Sequence, residues 1–265
     1  MPSLDSGSTD LVYDLPLMSV KRRARATIER THLGRMYLQR RREARRPPCW
    51  ARNQTDMEHM RVVIAASLRH DSNVVDVGAH NGEVLRLAVD RAPGGHHIAF
   101  EPLPDSAAAL RGLFPTCTIH EVALANLTGT AQFHAVHGAD AFSSLEGHSF
   151  EAERRGHDLL TVSVDRLDNL LPDGYRPTFV KIDVEGAEAE VLAGAVNTLR
   201  AHHPLLLIEH GGAGSGRPST DRVFAILDDC GYELFDIDGG GPYSEARMQE
   251  VVESGTLWNW LAVPR

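Results

Sequence analysis

The stretch NVVDVGAHNGEV, residues 73–84, decides how the rest of this chain is read. Residues 73–77 are apolar and β-branched enough for a buried strand. Gly78 and Gly82 then remove side chains where a backbone turns and approaches a ligand, and a helical pattern starts at Glu83. Strand, tight turn and helix in that order predict a small-molecule site. The spacing Asp-x-Gly-x-x-x-Gly is related to the dinucleotide fingerprint Gly-x-Gly-x-x-Gly but lacks its central glycine.

Outward from this loop, strands and helices alternate. Helix 56–69 places Met57, Met60, Val63, Ile64 and Leu68 on one face just before the first strand. After strand 74–77 and helix 83–91 come strand 97–100, helix 105–114 and strand 118–123. Segments 130–136 and 159–164 read as two further strands around a glycine- and serine-containing loop, 138–147, which is too long for a plain connector and suits a cover over a site. Strand 178–182, helix 187–202, strand 205–209, helix 221–230, strand 232–237 and strand 257–263 complete the pattern. Alternation of this kind predicts an α/β fold with a parallel sheet.

At 265 residues, 42% hydrophobic and 24% charged, the chain has the composition of one α/β domain, residues 51–265, with an appendage, residues 1–50. No apolar run approaches the roughly 18 residues of a membrane helix, and the first residues lack the charged-then-apolar order of a secretory signal, so a cytoplasmic protein is expected. Cys49, Cys117 and Cys230 are odd in number and widely spaced, which argues against a disulfide framework and a zinc–thiolate site. The net charge of −9 hides an asymmetry: segment 21–46 has eleven Lys or Arg against Glu29 and Glu43, a local +9 that leaves −18 elsewhere. Good helix formers up to Pro47 and Pro48 make this segment a basic helical arm. It either packs on the acidic body or reaches an acidic partner, a nucleic acid or a membrane surface, and it can swap between the subunits of a homodimer.

Ligands of open parallel sheets sit beyond the carboxyl ends of the strands. Those ends are acidic here: Asp76 before the glycine loop, Glu101 after the second strand, Asp183, Glu185 and Glu188 in DVEGAE, and Glu209 with His210. Glu101, 19 residues past Gly82, stands where an acidic side chain accepts the hydroxyls of a ribose. No Lys or Arg stands in the loop to meet a pyrophosphate, whereas a cationic cofactor suits such a rim. S-adenosylmethionine, with a ribose, an adenine, an ammonium and a sulfonium, matches Glu101, a small-residue slot near Ala123 and the acidic first loop.

VVDVGAHNGEV, AFEPLPDS, EVALANLTGT and above all VKIDVEGAE resemble the FkbM family of S-adenosylmethionine-dependent methyltransferases, over about residues 70–210. The resemblance implies a Rossmann-like class I methyltransferase, a mostly parallel seven-stranded sheet with helices on both faces. It also implies cofactor contacts at Asp76, Gly78, His80, Gly82, Glu101, Ala123 and Asp183, and O-methylation of sugars or other natural products.

The sulfonium is already an activated electrophile, so the enzyme's task is to position an alcohol and remove its proton. His210 is the expected base, having the side-chain pKa best matched to neutral pH, with Asp183 and Glu185 orienting substrate or donor. A second arrangement puts a divalent ion on Asp183, Glu209 and His210 to acidify the hydroxyl; the first needs no metal. Ser143 and Ser144 are positioned to reach donor or substrate from their loop. The alternative functions are N-methylation of an amine or guanidine, with Glu185 and Glu188 binding its cation, and RNA 2'-O-methylation, for which the basic arm and the Lys181/Asp183 pair speak. A non-catalytic module that keeps the cofactor as a structural ligand is the remaining class.

Overall fold

A computed structural model describes residues 48–136, 157–211 and 219–265. The basic segment 21–46, the loop 138–147 with its two serines and residues 212–218 lie outside the described residues. The chain divides between Gln54 and Thr55, and the sheets with their site belong to the second unit, Thr55–Arg265.

The elements occur in the order α1 (Pro48–Ser67), β1 (Val74–Val77), α2 (Glu83–Arg91), β2 (Ile98–Phe100), α3 (Pro104–Leu113), β3 (Thr118–His120), β4 (Ala123–Leu124), β5 (Gly129–Val136), β6 (His157–Asp165), α4 (Leu167–Leu170), β7 (Phe179–Ile182), α5 (Glu188–Ala193), α6 (Val196–His202), β8 (Leu205–Glu209), α7 (Thr220–Asp229), β9 (Tyr232–Asp236), α8 (Glu245–Ser254) and β10 (Asn259–Pro264). A seven-stranded sheet runs β3-β2-β1-β7-β8-β10-β9, parallel except for β10, which is antiparallel to both neighbours. Chain order reverses direction across β1 and β7, and this switch point opens a crevice at the strand ends.

Side chains alternate across the sheet and separate two cores. Val75, Val77, Val180, Ile182, Leu206 and Ile208 point to one face, under α5, α6 and α7 through Val191, Leu199, Val223 and Leu227. Val74, Phe179 and Leu207 point to the other, under Met60 and Ile64 of α1 and Val84 and Ala88 of α2. Helices thus cover both faces, as the strand-helix alternation predicts. Among the described residues no helix is long and apolar enough to cross a membrane.

The structure departs from the predicted elements in several places: α1 begins at Pro48, not at 56, and the short α4 lies in a stretch without a predicted element. Segment 118–123 is two strands: β3 closes the main sheet, while β4 belongs to a separate sheet, β4-β6-β5, in which β5 and β6 form a long antiparallel pair. Helix 187–202 is two helices parted at Gly194 and Ala195, and the chain there passes so close to Ala125 that a β-carbon on Gly194 would lie 2.3 Å from its carbonyl oxygen. Helix α8 lies in a stretch without a predicted element; Ser244 caps it by accepting the Arg247 N–H, and Met248 and Val252 bury one side.

Candidate functional site

The glycine loop is held by the protein itself. Gly78 N–H and Ala79 N–H both donate to the Phe100 carbonyl, at 3.0 and 3.3 Å, and Asp183 N–H donates to the Val77 carbonyl at 3.0 Å. Gly78 (φ 77°) lies against the Asp183 carbonyl, where a β-carbon would be 1.8 Å from the oxygen; at Gly82 (φ 75°) one would be 2.4 Å from the Phe114 ring. Both glycines are therefore required by neighbouring protein atoms and by left-handed backbone, which amends the expectation that they clear space for a ligand. His80, also left-handed at φ 43°, donates its N–H to Glu101 Oε2 at 2.9 Å, and Leu103 N–H donates to Oε1 at 3.0 Å. Glu101 thus clamps the β1 loop to the start of α3, in addition to any contact it makes with a ribose. Ala123 packs with Leu103, Phe133, Val162 and Val164 beyond the end of β3.

Register brings the acidic strand ends together. Asp76 pairs with Lys181, and Lys181 with Leu207, so stepping two residues along β7 and β8 places Asp183 beside Glu209 on the same face. Lys181 is buried and its Nζ lies 3.2 Å from Asp183 Oδ2. Burial opposes its charge, but Asp183, Glu209 and Asp76 outweigh that and raise its pKa. The carboxylates of Asp183, Glu185 and Glu209 approach within 4.8 Å of one another. Glu209 is pushed up to about 8 by burial and by Asp183, to which it is hydrogen-bonded. Glu185 is raised well above its ordinary value by burial, then Asp183 and Glu209. Asp183, one third exposed, is the member of this group bonded to the lysine.

Asp76 is 2% exposed, and its Oδ2 has no hydrogen-bond partner among the described residues. Burial pushes its carboxyl up to about 7, against the pull of Lys181.

His210 corrects an expectation. It follows Glu209 in an extended strand, so its side chain leaves on the opposite face, where it is completely buried. Nδ1 meets Glu188 Oε2 at 2.9 Å and Nε2 meets Thr220 Oγ1 at 3.0 Å, which leaves neither nitrogen for an acceptor's proton. For the same reason it cannot join Asp183 and Glu209 around an ion. Reading from sequence missed Lys181 as the buried counter-ion and Glu209 as a buried carboxyl raised by Asp183. A lysine inside the apolar run FVKI, two residues before an aspartate, is the signal that marks the first.

This strand order, with its antiparallel β10 and a glycine loop opening on an acidic switch point, is that of a class I methyltransferase. A sequence model of the methyltransferase FkbM domain matches residues 76–234, more than half of the chain. The chain belongs to the FkbM family of methyltransferases. It is 25% identical over 154 residues to the 2-O-methyltransferase NoeI of Sinorhizobium fredii, an alignment covering 52% of this chain and 63% of that protein. The chain thus spans less than two thirds of that relative's length. Among solved structures, the FkbM methyltransferase of Methylobacillus flagellatus is 19% identical with a TM-score of 0.47, over 74% of this chain and 44% of that one. The sugar N-methyltransferase KedS8 of Streptoalloteichus is 13% identical with a TM-score of 0.42, over 100% of both chains.

Proposed function

We infer that the chain transfers a methyl group from S-adenosylmethionine to a hydroxyl of a small acceptor, a sugar or another natural product. The donor fits the end of β1. Asp76 Oδ2 is a buried acceptor without a partner among the described residues, beside a loop free of Lys and Arg. A cationic nucleoside satisfies such an atom and a pyrophosphate does not. Asp76, Gly78, His80, Gly82, Glu101 and Ala123 are the residues that would hold it. When bound, S-adenosylmethionine supplies a methyl carbon on a sulfonium, already electrophilic.

The observation that carries the hydroxyl reading is the group Asp183, Glu185 and Glu209 beside buried Lys181. A neutral amine attacks without a base, whereas an alcohol must lose a proton. Asp183, the partly exposed carboxylate, takes that proton and shares it with Glu209 across their hydrogen bond, while Lys181 keeps the charge of the group tolerable in a buried setting. The name of the relative NoeI, a 2-O-methyltransferase, supports the same reading.

The test is donor consumption over a panel of methyl glycosides and amino sugars, with wild type and Asp183→Asn. Turnover on hydroxyls, reduced in Asp183→Asn by about 10²- to 10⁴-fold as for loss of a general base, is the expected result. Turnover on amines alone, or on RNA alone, overturns it.

A further inference from the structure

Behind the carboxylate rim lies a polar group that the proton transfer above does not use. Glu188, Thr220 and His210 are all completely buried. Glu188 Oε1 accepts the Gly186 N–H at 2.7 Å, and Oε2 meets His210 Nδ1. His210 Nε2 meets Thr220 Oγ1 at the first residue of α7. The main chain of His210 is fixed too: its N–H donates to the Trp258 carbonyl at 2.7 Å, and its carbonyl accepts from Trp260 Nε1 at 3.1 Å. The starts of α5 and α7 therefore meet on the imidazole at the end of β8, and the main chain of the same residue is tied to Trp258 and Trp260. With Glu188 a carboxylate, which has no hydrogen to give, Nδ1–H donates to it and Nε2 accepts the Thr220 hydroxyl hydrogen.

The turn that this group holds is a strained one. Glu185 sits at φ 53° and Gly186 at φ 114°. A residue with a β-carbon stays in the left-handed region only where its surroundings hold it there. The Glu188 carboxylate supplies that hold by taking the Gly186 N–H, and the imidazole keeps the carboxylate in place. Glu185 thereby presents its own carboxylate to Asp183 and Glu209.

We propose that Glu188, His210 and Thr220 are positioning residues: a buried relay, touching no reacting atom, that sets the left-handed Glu185 turn and so the geometry of the carboxylate rim. It rests on the reading of that rim as the acceptor side of the site. The pair Glu188→Ala and Glu188→Gln separates the hold from the charge, since both remove the charge. Glutamine keeps an acceptor for Gly186 N–H and, with the imidazole in its other tautomer, a hydrogen bond to His210, Thr220 then accepting.

Backbone NMR reads the turn without any acceptor present. Left-handed Glu185 carbon shifts and slow exchange of the Gly186 amide persist in Glu188→Gln, and both are lost in Glu188→Ala, with exchange at least about tenfold faster. On the methyl glycoside panel, kcat of Glu188→Ala falls about 10- to 100-fold below that of Glu188→Gln, while affinity for S-adenosylhomocysteine stays within about twofold. A folded Glu188→Ala that retains the Glu185 shifts, or variants with equal kcat, overturn the proposal. Should Glu188→Ala fail to fold, Thr220→Val against Thr220→Ser carries the same comparison, and identical Gly186 exchange in the two overturns it. Full turnover in Asp183→Asn would instead remove the hydroxyl reading, and the NMR comparison would still judge the relay.

Discussion

Replacing Asp76 with asparagine should stabilise the protein while weakening its hold on the donor. The carboxyl is 2% exposed, has one oxygen without a partner among the described residues, and titrates near 7 in place of 3.8. Its folded-state pKa is raised, so the folded protein holds this proton more tightly than the unfolded chain does. Ionising the group therefore costs nothing below about pH 3.8, costs progressively more between that pH and 7, and costs its full amount above 7. Moving the carboxyl that far corresponds to about 4 kcal/mol, an upper bound. Asparagine removes this cost but brings an amide that needs partners, and takes from Lys181 one of its three carboxylate neighbours. The expected net gain is about 1–3 kcal/mol at pH 8, and the difference from wild type should shrink by about 2–3 kcal/mol on going to pH 5. Urea unfolding of both proteins across that range measures it. Calorimetry with S-adenosylmethionine supplies the other half: affinity should fall about 10- to 100-fold, the usual scale for losing a hydrogen bond to a charge. A stability difference that does not change with pH, or an unchanged affinity, refutes the reasoning.

Gly78→Ala puts a β-carbon 1.8 Å from the Asp183 carbonyl at φ 77°, so it should cost on the order of 3 kcal/mol or more and abolish donor binding by displacing the β7 turn; thermal melts at wild-type temperatures would contradict this. In Glu209→Gln the rise in kcat through pH 7–9 that stems from a carboxyl titrating near 8 should disappear, and a pH profile identical to wild type would show that Glu209 plays no part in proton transfer. Excess chelator should leave turnover unchanged, because the Lys181 ammonium already supplies the positive charge at the rim; loss of activity restored by magnesium would show the opposite.

The fold was legible because its signals are local. An apolar run that ends in Asp76-x-Gly78 and turns into an amphipathic helix can be read without any tertiary contact, and so can the strand-helix alternation after it. Where the chain departs from expectation, the cause is a contact between segments far apart in sequence. Position 194, where a predicted helix parts, is glycine because Ala125 lies against it, and Gly78 is glycine because Asp183 does. The acidic strand ends were visible as residue types, but their grouping required the register that sets Lys181 between Asp76 and Leu207. His210 is instructive in a different way, because the two-residue period of a strand already puts it and Glu209 on opposite faces. Histidine as a residue type made it an attractive base, and its place on the far face of the sheet, with both ring nitrogens bonded, rules it out. Thr220 had no signal of its own, since nothing in a threonine at a helix start announces a buried imidazole ten residues earlier in the chain.

The position of β10 has a consequence for how the chain is made. This strand comes after β9 in sequence but lies between β8 and β9, pairing with Ile208 and Glu209 on one side and with Phe235 and Asp236 on the other. Until residues 259–264 leave the ribosome, β8 has an unpaired edge and β9 has no sheet to join, while Trp260 is not yet in place to take the His210 carbonyl. During translation that half of the sheet is therefore an exposed apolar template for other chains. Completing the domain is a late insertion between β8 and the edge strand β9, and a nascent chain stalled before Asn259 should be a chaperone client.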